Sequence, residues 1–164
     1  MYEATVTVFN KYQSKTAFMW YPHVLTGVNL VADKGQMLKQ YGPDSKDNAE
    51  LHVAYTEMDG QKIIIDGMTG QPILNTMGGP LPWLKPEDWK KQVNDLLDDT
   101  ITFNTGDFFW IGEWNDGAVN DDDYFRGKYE GFYAYMNGEH DFVYLVSGIS
   151  LPYTLIPYFP ILGE

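Results

Sequence analysis

Cysteine is absent from the 164 residues, which removes disulfide staples, thiolate zinc sites and cysteine nucleophiles, and leaves the redox compartment unreadable. Basic residues are scarce: 11 Lys and Arg stand against 23 Asp and Glu, a formal net charge of -12. Nucleic-acid affinity comes from cationic side chains that displace counterions from phosphates, so tight binding to DNA or RNA is not expected. Histidine occurs only at His23, His52 and His140, far apart in sequence, with no metal-ligand spacing and no evident nucleophile beside any of them. Long apolar runs are missing too. The longest, from Ile149 to Leu162, is interrupted by Pro152, Pro157 and Pro160 and is too short to span a bilayer, so no membrane helix is expected. The start, Met1 to Val6, lacks the basic residues and apolar core of a secretion signal, and synthesis in a cytoplasm is the expectation.

What is present reads as one globular domain. Hydrophobic residues make up 44% and charged residues 21%, inside the range of chains that bury a core and far from the composition of disorder. Thr5 to Phe9 alternates, with Val6 and Val8 on one side and Thr5, Thr7 and Phe9 on the other, as a strand requires. Thr16 to Tyr21 follows a short polar turn, so the two segments are expected to pair. Pro22 should break the ladder, since it lacks a backbone donor. Val24 to Val31 is the next strand, with Gly27 as a bulge. Asp33-Lys34-Gly35 reads as a turn, Gln36 to Tyr41 as a short edge strand, and Tyr41 to Asn48 as a surface loop.

Leu51, Val53 and Tyr55 alternate, and Asp59-Gly60 joins them to Ile63-Ile64-Ile65, a strong hairpin signal. Asp66 to Pro82, rich in Gly and Pro, is an irregular connection. Its Gly67-Met68-Thr69-Gly70 and Met77-Gly78-Gly79-Pro80 lack the Gly-Lys-Ser/Thr ending of a phosphate loop, which disfavours nucleotide binding. Lys85 to Asp98 is the one expected helix, with Pro86 at its first position, Glu87 and Asp88 at its positive end, and an apolar stripe of Trp89, Val93, Leu96 and Leu97. Strands at Ile101 to Phe103 and Phe108 to Trp114 come next, then an acidic loop. From Tyr129 to Val146, Tyr129, Gly131, Tyr133 and Tyr135, then Phe142, Tyr144 and Val146, recur at every second place around Asn137-Gly138, which predicts a second hairpin.

Reactive constellations are sparse. Asp116 to Asp123 could offer oxygens to calcium, but it does not match the spacing of a helix-loop-helix site and reads as a solvated loop. Glu113, between Trp110 and Trp114, is the least poor candidate for a glycosidase carboxylate, yet a rim position on a strand explains it more simply. No catalytic residue, metal site or cofactor is assigned. Aromatic residues reach 16%, which fits core and subunit-interface packing, or a platform for sugar rings. Three prolines are expected to keep the apolar tail from being a helix or a central strand, so it is either an extended strap across its own core or an arm inserted into a neighbour.

Thr5-Val6-Thr7-Val8-Phe9-Asn10-Lys11, Tyr21-Pro22-His23-Val24-Leu25-Thr26-Gly27-Val28, and Phe103-Asn104-Thr105-Gly106-Asp107-Phe108-Phe109-Trp110-Ile111-Gly112-Glu113 resemble small virion proteins of tailed bacteriophages of Gram-positive hosts, of the head-tail joining or minor capsid type. The resemblance covers about the first two-thirds of the chain. It implies a non-enzymatic virion protein: a head-tail connector in the neck that forms a homo-oligomeric ring and contacts portal, adaptor or tail proteins. In such proteins a Thr-Val-Thr strand opens a small β-barrel or sandwich and a Gly-Asp-apolar-apolar strand closes it. The chain departs after Trp114, where relatives of that type finish. An acidic wall would let DNA slide through such a ring without sticking. The alternative function is a carbohydrate-binding β-module using exposed aromatics.

The expected fold is therefore mainly β, a small β-barrel or sandwich with one packed α-helix and a C-terminal β-hairpin extension. Residues 1–114 form the core, including the helix near 86–98, and residues 115–164 supply the acidic loop, hairpin and tail. The expected interface is Tyr133, Tyr135, Phe142 and Tyr144 of the hairpin with Leu151, Tyr153, Ile156, Tyr158 and Phe159 of the tail.

Overall fold

The computed structural model describes residues 2–15, 18–32, 49–93, 96–125, 127–152 and 157–164. Eight strands carry the fold: β1 (Ala4–Gln13), β2 (Phe18–Ala32), β3 (Ala49–Met58), β4 (Gln61–Ile64), β5 (Phe108–Ile111), β6 (Val119–Asn120), β7 (Val143–Ile149) and β8 (Tyr158–Gly163). Six of them close an antiparallel barrel in the order β3-β8-β7-β5-β1-β2, with β2 returning to β3, while β4 and β6 are added outside the ring. The interior is filled by Val6, Val8, Leu25, Val28, Leu51, Val53, Phe109, Val146, Phe159 and Ile161, so the barrel is a packed core.

The alternation of β1 settles which face is which. Val6 and Val8 enter the barrel, whereas Phe9 points outward into a second cluster with Trp20, Phe108, Phe132 and Met136. Both faces of β1 are thus covered, and Val6 to Asn10 is buried without a break. The hairpin at Asp59-Gly60 forms as the sequence demands, with positive φ at both residues (52° and 81°) as a type I′ turn needs. Gly27 is the bulge: the β1–β2 register slips by one residue between Ala4 and Val6, and the glycine holds φ at 62°. A Cβ there would overlap the Asp66 carboxylate.

Several expectations are corrected. Pro22 does not end its strand: β2 runs through it, opposite Phe9, in the stretch where β2 has no second strand neighbour among the described residues. A missing N–H costs nothing on such an edge. The helix of 85–98 is two short ones, α1 (Pro86–Lys90) and α2 (Leu96–Asp99). Trp89 and Leu97 are buried, while Val93 and Leu96 are exposed, so the stripe is not continuous. Ile101 to Phe103 makes only an isolated bridge, Ile101 to Trp83.

The fourth correction is the hairpin of 129–146. Asn137-Gly138 lies in the last turn of a helix, α3 (Phe132–Glu139), and β7 follows. Phe132 and Met136, four residues apart, are its buried pair. Gly138 serves close packing, because a Cβ at that position would stand 2.7 Å from the Tyr129 ring.

The described end of the tail packs on its own barrel, but as strand β8, paired with β3 on one side and β7 on the other, which corrects the expectation that its prolines keep it out of a central strand. The turn at 33–35, the edge strand of 36–41 and the loop of 41–48 lie outside the described residues.

Candidate functional site

Asp121 organises the surface that matters most. The segment expected as a solvated acidic loop is corrected here: it carries β6 and a 3-10 helix, and the Asp121 carboxylate is almost fully buried, its Oδ1 accepting hydrogen bonds from Trp20 Nε1 and from the Phe132 backbone N–H, both at 2.9 Å. One side chain thereby ties β2 to the first turn of α3. Gly131, just before the helix, holds φ at 111° and leaves room for that carboxylate, which would stand 2.9 Å from an added Cβ. Asn120 caps the 3-10 helix of Asp121–Tyr124 by accepting from the Asp122 N–H at 3.0 Å.

The resulting layer is aromatic. Phe9 stacks on Phe108 at 4.6 Å, and Phe132 meets Phe9, Trp114 and Tyr124 at 5.2, 5.3 and 4.8 Å. Trp114 is set by two bonds: its N–H donates to Thr7 Oγ1 at 3.0 Å and its Nε1–H to the Gly117 carbonyl at 3.0 Å. Where this layer meets solvent it opens into a cleft of about 780 Å³, lined by Trp114, Tyr124, Tyr129 and Tyr135 together with Asp116 and Asp123. Tyr129 stands perpendicular to Tyr135 (86°, 5.6 Å), and Tyr124 is inclined to it by 45° at 4.8 Å. The Tyr129 hydroxyl donates a hydrogen bond to the Glu139 carboxylate, which pushes that phenol up to about 12.

The expected interface residues are dispersed by the fold. Tyr144 and Phe159 are core; Tyr144 stacks on Phe109 at 5.3 Å. Tyr133 is half-buried against Phe108, Tyr135 lines the cleft, and Tyr158 stacks on His52 at 4.4 Å. Phe142 and Leu151 are exposed, at 56% and 88%. Tyr153 and Ile156 lie outside the described residues. Tyr124 is the cleft residue that the strand reading of the sequence passed over. The available signal was the interleaving of rings and carboxylates between Trp114 and Tyr135.

A second polar centre is structural. Asp107 is buried, and its two oxygens accept from the Lys11 N–H (2.9 Å), Asn10 Nδ2 (3.0 Å) and the Asn104 N–H (3.1 Å). Burial nevertheless pushes its carboxyl up to about 7, against the pull of those three bonds and of the Lys90 ammonium. Burial likewise drives the His23 imidazole down to about 3, which keeps it neutral. Glu113 is exposed beyond β5 and does not line the cleft. Among the described residues no three His, Asp or Glu are grouped so as to hold a metal ion, and no helix is long and apolar enough to cross a membrane.

Compared with protein-family models, curated proteins and solved structures, the chain matches none.

Proposed function

We propose that the protein is a non-enzymatic structural subunit of a tailed-bacteriophage virion, a head-tail connector that assembles into a homo-oligomeric ring in the neck. The observation that carries this reading is the exposure of large apolar side chains in two separate places on a barrel whose interior is already full. One place is the outer row that crosses Val31, Glu50, Leu162 and Gly148 on four neighbouring strands, where Val31 and Leu162 are exposed; Ile149 and Leu151 are exposed at and just beyond the end of β7. The other surrounds the contact of Asn75 and Thr76 with Asp99, where Leu74, Met77 and Leu96 are exposed. Two unlike apolar patches suit a head-to-tail contact, the kind that closes into a ring when the rotation allows. The surplus of carboxylates suits a lumen through which DNA slides without adhering.

The carbohydrate-binding alternative draws less support. Tyr144 and Phe159 are inside the barrel, and the tyrosines of the cleft are set at angles to one another, whereas a sugar ring stacks on a flat face. Light scattering tests assembly directly. The intact chain at tens of micromolar should have the mass of a closed ring, and Leu162→Asp or Met77→Asp should each give monomers with an unchanged circular dichroism spectrum. A monomeric wild-type chain that is also missing from purified particles by mass spectrometry would end the proposal.

A further inference from the structure

The cleft beside α3 has a chemistry that the ring reading does not use. Four aromatic residues line it, with Tyr124 and Tyr129 each inclined to Tyr135, the carboxylates of Asp116 and Asp123 share its lining, and no Lys, Arg or His lines it among the described residues. The faces of Tyr and Trp rings carry negative potential, and inclined rings offer that potential to a compact charge from several sides at once. Adjacent carboxylates add to it. The same wall already attracts a cation from outside, since the Lys128 ammonium stands 5.3 Å from the centre of the Tyr129 ring.

We propose that this cleft binds a basic peptide segment of a partner protein, seating an arginine or lysine side chain among Trp114, Tyr124, Tyr129 and Tyr135 with its charge against Asp116 and Asp123. Charge complementarity selects the occupant. The charged side chains that line the cleft are carboxylates, which would repel an anionic ligand. A second copy of this chain would bring a net charge of -12 with it, which disfavours self-association through an acidic site. A basic arm gains from both elements of the lining. The proposal deepens the assembly reading in that the ligand is a protein, and the two fail separately: a chain that stays monomeric yet binds the probe loses the ring and keeps the cleft.

The test is calorimetric titration of the intact chain with a tetra-arginine peptide at physiological salt, read in parallel by tryptophan fluorescence. One-to-one saturable binding with quenching is expected. Trp114→Leu should weaken it at least tenfold, and so should the double variant Asp116→Asn/Asp123→Asn. If the tryptophan variant does not fold, the double variant decides alone, because both carboxylates are exposed. The control is Glu87→Gln/Asp88→Asn, which removes the same charge from α1 and should change affinity less than twofold. Equal losses in the two charge pairs would reduce the effect to the overall field of the protein and overturn the site. Absence of saturable binding would overturn it, and so would tighter binding of maltotriose or chitotriose, or self-association abolished by Trp114→Leu.

Discussion

Asp107→Asn separates two opposed forces on one buried carboxylate. Three donors converge on Asp107 and favour its ionised form, while burial favours the protonated one, and burial prevails with a folded-state value of about 7 against 3.8 for the free side chain. A folded-state value above the unfolded one means that the native protein holds more protons between those limits. Stability contributed by this group is therefore fully present below about pH 4 and is lost as pH rises toward 7. A displacement of roughly three pH units corresponds to about 4 kcal/mol, of which about 3 kcal/mol falls between pH 4.5 and 8.5.

His23 acts in the opposite sense. Its depressed value makes the folded state poorer in protons than the unfolded one below pH 6.5, so its contribution is lost on acidification toward pH 3. The two slopes offset each other in the wild type, and only a difference measurement isolates Asp107. Urea unfolding of wild type and Asp107→Asn, followed by tryptophan fluorescence, should be run from pH 4.5 to 8.5. Wild-type stability minus variant stability should fall by about 3 kcal/mol across that range and level off above pH 8. A difference that stays constant, or rises with pH, would show that the three donors outweigh burial and would refute the reasoning.

Asp121→Ala leaves the Trp20 indole N–H and the Phe132 N–H buried without their shared acceptor, and should lower unfolding free energy by about 2–4 kcal/mol in a urea titration. Gly27→Ala forces a side chain into positive φ and into the Asp66 carboxylate, so a loss of about 2 kcal/mol or more is expected, read as a lowered urea midpoint at unchanged m-value. Phe132→Ala empties the centre of the outer aromatic cluster and should cost about 3–5 kcal/mol in the same assay. Burial tends to raise the Asp66 carboxyl, but bonds from the Met68 N–H, the Thr26 hydroxyl and the Thr69 N–H outweigh it and hold the group below its usual value. Its stabilising contribution is thus present above about pH 4 and lost on further acidification; Thr26→Val should make that acid limb shallower in a pH-dependent melting series.

Local chemistry was readable wherever one residue type admits one conformation. Asp59-Gly60 names its own turn, and the alternation of Val6 and Val8 against Phe9 names both faces of β1. The 129–146 segment defeated the same logic because its rings fit two periods. Tyr133 and Tyr135 satisfy alternation, while Phe132 and Met136 satisfy a helical turn, and the decision belongs to tertiary contacts: Asp121 fastens Phe132, and Tyr129 lies against Gly138. Prolines misled for a related reason. Pro160 sits in β8, and its carbonyl accepts from the Ser150 N–H just beyond the end of β7. A residue's N and C=O point to the same side of a strand, so the donor that Pro160 lacks falls where the β7 ladder has stopped. No inspection of the proline alone reveals that. The cleft was legible only in its ingredients, since Trp114 and Tyr135 are 21 positions apart and come to line one cleft through the seating of α3 on β1, β2 and β5.

The aromatic surplus of this chain has two layers with different consequences. A barrel of this size is filled by its own inward residues, and that layer needs nothing from the segment between Trp114 and Glu139. Phe9, Trp20 and Phe108, however, project outward from β1, β2 and β5, and would form an exposed patch unless something covered them. The segment from Trp114 to Glu139 does so, fastened by Asp121, and the rings at its far edge have no further core to enter. They remain half-exposed because the cover must end somewhere, and it ends among carboxylates. A ring edge completed by protein on one side and by Asp116 and Asp123 on the other is a poor surface for another acidic barrel and a good one for a cation. The proposed assembly through the apolar patches and the proposed capture of a basic arm in the cleft would therefore use different partners at different places, and mutations in one should leave the other intact.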